Sequence, residues 1–278
     1  MSQFLKINAL FLIALFLLLP AAGHADELQP GKPHQDWQVS LAAGLIVAPA
    51  FSGAKNYSLL AVPDLRVTYK DQFFANMKDG IGYAVIHQDG WRVGPVLAYT
   101  FRRSEKDGGS VFRVAGGDKS ALQGMGEVEG TTSLGVFAEY SQKPYTAQLH
   151  LHKGVTGHRG MVAEGRLSYG GVVALAGPPL IYAVGPRVKF GDENFVNAYW
   201  GVSGDQSARS GLAQYHASAG MVSYGVGGFV LMPLTRAVSL SILAGYDRLA
   251  PVVADSPFIQ QRGTLDQLHG GLFVSYAF

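Results

Sequence analysis

The sequence predicts a transmembrane antiparallel β-barrel of about twelve strands, and three observations predict it. Apolar residues recur at every second position through most of the 278 residues, the period of a strand with one face in lipid or core. Charged residues make up only 15% and glycine is 36 of 278, against roughly 25% and 7% in ordinary soluble domains. After residue 25 no run of 18 apolar residues occurs. Helical spans are thereby excluded, leaving the closed barrel as the other structure that satisfies every backbone group in lipid.

Composition narrows the function classes. Hydrophobic residues at 48% and aromatics at 11% exclude a disordered chain. A formal net charge of +2 gives no electrostatic footprint for nucleic acid. The absence of cysteine removes disulfides, thiolate metal sites, cysteine nucleophiles and cysteine-borne lipid anchors.

Residues 1–25 read as a cleaved signal peptide. Lys6 precedes an apolar run from Ala9 to Leu19, Pro20 breaks it, and Gly23-His24-Ala25 supplies small residues before Asp26. The run is shorter than the ~20 residues of a membrane helix. Residues 26–278 then form one barrel domain.

Strands are expected near 37–48, 59–70, 73–87, 90–103, 128–140, 143–153, 160–175, 180–190, 194–201, 216–230, 235–247 and 266–278. The first sets Trp37, Val39, Leu41, Leu45 and Val47 on one face. Asp79-Gly80 could turn a hairpin within 73–87. Splitting there leaves Phe73–Lys78 short of the ~9–11 residues needed to cross, so the segment is read as one strand with a glycine bulge. In 143–153, Tyr145, Ala147, Leu149 and Leu151 oppose Thr146, Gln148, His150 and His152. In 180–190, Leu180, Tyr182, Val184, Val188 and Phe190 oppose Arg187 and Lys189. Segment 235–247 alternates through Val238, Leu240, Ile242, Ala244 and Tyr246. The last strand carries Leu268, Leu272, Val274, Tyr276 and Phe278 on one face, a pattern similar to the terminal signal for outer-membrane insertion. A soluble sandwich also alternates, but segments of ten residues and more with a recurring apolar face favour the barrel.

With both termini periplasmic, the long links 49–58, 202–215 and 248–265 fall outside. The short links 71–72, 191–193 and 231–234 fall inside. Link 104–127 is long yet counts as periplasmic. It is therefore the expected contact loop, with Leu122 and Met125 as an apolar centre and Glu127 and Glu129 as acidic edges. A plugging loop or a register error is the alternative.

Four residues, His150, His152, Arg187 and Lys189, are expected to line the lumen. His150 and His152 lie ~6.6 Å apart along a strand, with His158 beyond a turn and no carboxylate on their strand, so no metal site is expected. Arg187 and Lys189, with Arg92, could form a charged ring that tunes anion passage, or be neutralised by Asp247 and Asp64. Twelve strands lie between filled eight-strand barrels and open porins, leaving plugged and conducting lumens both open. His216 and Ser218 share a strand face, as a base and a nucleophile would. No acid or amide follows at a spacing that would orient the base, so no catalytic residue and no cofactor are expected.

Several motifs together resemble one family. They are Pro49-Ala50-Phe51-Ser52-Gly53, Pro63-Asp64, Phe73-Phe74, Gly80-Ile81-Gly82-Tyr83, Gly94-Pro95, Leu122 to Gly126, His158-Arg159-Gly160, and the stretch from Asp255-Ser256-Pro257-Phe258 through Arg262-Gly263-Thr264 to Tyr276-Ala277-Phe278. In order and spacing they are similar to the MipA/OmpV family, with Met125 standing where a second leucine is usual. The resemblance implies a Gram-negative outer-membrane barrel without catalytic residues, in contact with membrane lipid. It further implies a scaffold that links a murein lytic transglycosylase to a penicillin-binding protein. The expected function is accordingly an envelope scaffold, with a narrow solute channel as the alternative and a lipid hydrolase third.

Overall fold

The computed structural model describes residues 36–106, 112–174 and 177–278; the expected signal peptide lies outside them. Fourteen strands follow in chain order: β1 (Trp37–Pro49), β2 (Tyr57–Tyr69), β3 (Phe73–Asn76), β4 (Gly80–Tyr83), β5 (Ile86–Gln88), β6 (Trp91–Thr100), β7 (Arg113–Gly116), β8 (Thr131–Gln142), β9 (Tyr145–Gly154), β10 (Met161–Val173), β11 (Leu180–Gly191), β12 (Gly220–Pro233), β13 (Val238–Leu249) and β14 (Asp266–Ala277). Twelve of them form a closed antiparallel ring in chain order, with β5 paired to β6 and β7 paired to β2 as side branches. The ring closes between β1 and β14, from Ser40 opposite Ala277 to Val47 opposite Gly270.

The outer face is apolar and exposed. Leu41, Leu45, Leu149, Ile242, Leu272 and Val274 all point outward, an area of hydrocarbon that only lipid can cover. At the end carrying Trp37 and Phe278, an aromatic girdle marks the interface. Trp37 lies 4.6 Å from Tyr69, Trp91 lies 4.8 Å from Tyr140, and Tyr276 lies 5.0 Å from Phe278 between ring centroids. This is the outer-membrane barrel that the alternation predicts.

Two expected strands are corrected, and their errors cancel in the count. Segment 73–87 is not one strand, because β3 and β4 form a hairpin that turns at 77–79. The turn is built locally: the Asn76 side chain accepts from the amides of Lys78 and Asp79 at 3.0 and 2.7 Å, and Gly80 takes φ +86°, a conformation that favours glycine. Segment 194–201 is not a strand but a helix, α1 (Glu193–Trp200). Asp192 caps it by accepting from the Phe195 amide at 2.9 Å. Phe195, Val196, Tyr199 and Trp200 fall on one helical stripe, a spacing that resembles alternation when read over so few residues.

The early hairpin reverses the side on which the next links fall. Residues 101–106 and 112–130 join the end that carries 50–56, 192–219 and 250–265, opposite both described chain ends. Short turns occupy the other end, at 70–72, 89–90, 143–144 and 234–237. In outer-membrane barrels the long loops are extracellular and the short turns periplasmic. The expected periplasmic position of 104–127 is therefore corrected to the outer end for its described residues, 107–111 lying outside them, and 191–193 belongs to a long outer link rather than a short inner one.

Candidate functional site

The candidate site is the lumen together with the cap that closes it. Besides α1, the cap contains α2 (Gly204–Ser210), α3 (Pro251–Ala254), α4 (Pro257–Arg262) and a 3-10 turn at Ser120–Leu122. These pieces share one dry core in which Leu122, Val196, Val253 and Phe258 are fully buried. The strand ends contribute Val162, Val222 and Leu249 to the same core, so it seals the inside of the barrel. Phe51 stacks on Phe258 at 5.8 Å.

Hydrogen bonds tie the segments across large sequence distances. Trp200 Nε1 donates to the Ser52 carbonyl at 3.3 Å, Ser256 Oγ to the Trp200 carbonyl at 2.6 Å, and Tyr215 Oη to the Val252 carbonyl at 2.9 Å. Gln206 Nε2 reaches the Met125 carbonyl at 2.7 Å. α2 has a full capping box, Ser203 with Gln206.

The four predicted contact-loop residues are placed differently from expectation. Leu122 and Met125 are 0% and 2% exposed inside the cap core and form no apolar centre on a surface. Glu127 and Glu129 remain exposed at the outer end, and Glu127 accepts from Ser104 Oγ at 2.8 Å. The Ser120–Met125 part of the link packs into the cap, while β7 pairs with β2 in the wall.

One cation is buried within the cap. Arg103 donates from Nη1 to the Tyr199 carbonyl and lies 5.5 and 6.0 Å from the Tyr199 and Phe258 ring centroids. Among the described residues its Nε and Nη2 have no hydrogen-bond partner, nor has Tyr199 Oη. Burial lowers the Arg103 pKa to about 10, with Tyr199 opposing the shift.

Below the cap the inner wall carries a chain of ion pairs. Arg187 faces inward. It grips Asp247 with two bonds, Nε to Oδ1 at 2.7 Å and Nη2 to Oδ2 at 2.5 Å, and donates to His269 Nε2 at 2.9 Å. Lys189 pairs with Glu164 at 2.8 Å. Arg92 pairs with Glu139 at 3.2 Å, and Gln148 Nε2 also donates to that carboxylate at 2.7 Å. Arg66 and Asp64 lie 3.8 Å apart. The ring of cations is thus largely neutralised, by Asp247 as anticipated and by Glu164 and Glu139, which sequence reading did not single out. Arg166 stands beside Arg187 and Gln148 in register and has no ion pair among the described residues.

The wall is not packed shut from side to side. Phe74, Val96 and Phe137 fill the lumen beside β3–β8. Across it, the inward Phe229 is still 44% exposed and the Glu164 side chain 51%, which requires open space next to them. A polar lumen thus opens toward the short-turn end and stops at the cap.

His150 and His152 lie in the lumen with ring centroids 5.7 Å apart. His158 is in the cap, where Nδ1 accepts from the Gly160 amide at 2.9 Å. Among the described residues no group of three or more metal-ligating side chains is assembled. His216 has an acid that sequence spacing did not suggest, because Glu193 sits on the unforeseen α1 and its Oε1 contacts His216 Nε2. Both side chains are exposed, and among the described residues no hydrogen bond joins His216 to Ser218.

The chain is similar to known outer-membrane proteins. Over 91 residues the chain is 37% identical to a protein of Escherichia coli strain K12 named as an outer membrane protein, YiaT; the match spans 33% of this chain and 35% of that one. Among solved structures, the COG4313 outer membrane channel from Pseudomonas putida F1 has a TM-score of 0.44 at 13% identity, covering 93% of this chain and all of that one. The NanC porin has a TM-score of 0.39 at 11% identity, covering 86% and 98%. The profile described as MltA-interacting protein MipA matches residues 41–278. The chain belongs to the MipA family of outer-membrane proteins.

Proposed function

We propose that this protein is a narrow outer-membrane channel for small anionic solutes, held closed at its outer end by the cap. The observation that carries the reading is the lumen itself: an accessible wall whose cations are largely ion-paired but which leaves Arg166 and Lys78 without an ion pair among the described residues, beneath a dry plug. Charged inner rings select ions by sign, and a dry apolar plug blocks their passage. Conduction then requires displacement of the cap. The test is single-channel recording in planar bilayers. Rare brief openings are expected from the intact chain, becoming long-lived and anion-selective when the cap core is broken. A cap-broken variant that stays silent would end this reading.

A second reading, a scaffold linking peptidoglycan-remodelling and -synthesising enzymes to the outer membrane, is favoured by the family's description as MltA-interacting. With the long links on the outer side, partner contact would use the short-turn end. Crosslinking of tagged protein in its own envelope tests this reading. Enrichment of a lytic transglycosylase with a penicillin-binding protein is the expected result, and recovery of abundant porins alone counts against it.

A further inference from the structure

The outer surface of the cap contains a cleft that neither reading uses. It measures about 450 Å³ and is lined by Phe51, Lys55, Asn56, Asp118, Gln123 and Arg262, among others. A recess of about 320 Å³ adjoins it, sharing Asp118, Ser120 and Gln123 and adding Lys106. The size matches that of small-molecule sites, which need a few polar groups fixed on a firm floor.

The floor is firm because it is the roof of the cap core. Phe51 is stacked on Phe258, and Ala54 bridges to Gly263. Arg262 clasps the carbonyls of Ala121 and Gln123 at 3.2 and 2.8 Å and also that of Ser210. Carbonyls hold the guanidinium in place without cancelling its charge. Lys55 and Lys106 have no ion pair among the described residues.

The two acids are held in place by neutral donors of the chain. Asp118 accepts from the Ser120 amide at 2.8 Å, from Ser120 Oγ at 3.0 Å and from Asn56 Nδ2 at 3.3 Å. Glu105, in the recess, accepts from the Gly126 amide at 2.8 Å. The cations Lys55, Lys106 and Arg262 face two carboxylates, Asp118 and Glu105, across the cleft and its recess, and this positive balance attracts an anion. The side-chain amide of Gln123 makes no hydrogen bond among the described residues. With Asn56 beside it, planar amides are available to hold hydroxyl groups.

We propose that this cleft binds a polyhydroxylated anion, a saccharide unit bearing a phosphate or carboxylate. The acid lies toward Lys55, Lys106 and Arg262, and the hydroxyls toward Asn56 and Gln123. The same chemistry occurs in a free sugar phosphate and in the phosphorylated saccharide headgroup of a surface glycolipid.

The test is calorimetric titration of the folded full-length barrel in detergent with glucose 6-phosphate, glucose and inorganic phosphate. Saturable binding of glucose 6-phosphate is expected, at least tenfold tighter than either fragment. A Lys55→Glu/Lys106→Glu variant is expected to lose at least tenfold, while Lys55→Arg retains binding. Both positions are on the surface, and unchanged circular dichroism checks the fold. Competition by vesicles carrying phosphorylated glycolipid would assign the headgroup as the source; absence of competition would assign the free solute. No saturable binding, or equal binding by the charge-reversed variant, overturns the proposal. Channel recordings do not depend on this cleft, so its failure leaves the lumen reading untouched.

Discussion

The two ends of the lumen are built from the same strands yet are opposite in chemistry. On β10, Val162 faces the cap core while Glu164, two residues further along, pairs with Lys189 in the open lumen. On β13 the same step separates buried Leu249 from Asp247. One step of two residues is ~6.6 Å, and over that distance the interior changes from dry to wet. The lesson is that alternation specifies which residues face in, but not what waits inside. A Val facing inward meets the cap; a Glu facing inward meets water and a lysine.

Breaking the dry end has the largest expected effect. Phe258 is the largest fully buried side chain of the cap, and Phe258→Ala is expected to cost about 3–5 kcal/mol of cap stability. Limited proteolysis within 250–265 should then proceed rapidly while the strand body stays resistant. Equal protection of variant and parent would show that the cap core does not hold the loops.

Breaking the wet end costs less. Asp247→Ala leaves Arg187 with His269 as its remaining side-chain partner, an expected loss of about 1–3 kcal/mol. Removing that negative charge is also expected to raise anion preference, measured as a shift in reversal potential across a salt gradient. An unchanged potential in a cap-broken background would place Asp247 outside the conducting path.

Smaller still is the capping residue of α1. Asp192→Ala removes the bond to the Phe195 amide, an expected loss of about 1 kcal/mol, read as a modest drop in the cap's unfolding midpoint. No change would mean that Phe195 and Trp200 hold the helix without its cap.

The finest distinction is pH. Half-buried His158, in the loop beside α1, has its pKa lowered chiefly by burial, with Lys189 and Lys153 in the same sense and Asp192 opposing. The unfolded loop therefore binds its proton at a higher pH than the folded one. The resulting stability is present above about pH 6.5 and is lost as pH falls through the folded value. Cap melting should drop on acidification from pH 7.5 to 5.5, and His158→Gln should flatten that dependence. An identical slope in the variant would remove His158 from the account.

Much of the barrel was legible in the sequence because its signal is local. Trp37 to Val47 and Leu268 to Phe278 alternate over their whole length, and lipid requires the outward residues to be apolar. The inward positions of His150, His152, Arg187 and Lys189 follow from the same alternation. The cap was not legible, because Leu122, Trp200 and Phe258 are far apart in the chain and meet only in the folded structure. Its helices are short, and α1 carries apolar residues that also fit a strand. The β3–β4 hairpin escaped for another reason. A transmembrane strand needs a minimum length, but strands of four residues survive here on the pairing of β3 with β2 and of β4 with β6. That one miss moved link 104–127, with Leu122 and Met125, to the wrong side.

The central claim is that the lumen is wet toward the short-turn end and dry beneath the cap, and the absence of native cysteine makes it directly measurable. Single cysteines at Ser241, an inward lumen position, and at Val196, fully buried in the cap, would be reacted with a charged maleimide in the folded, detergent-solubilised protein. Rapid labelling at 241 with protection at 196 is the predicted result. Equal labelling at both positions, or protection at both, would contradict it.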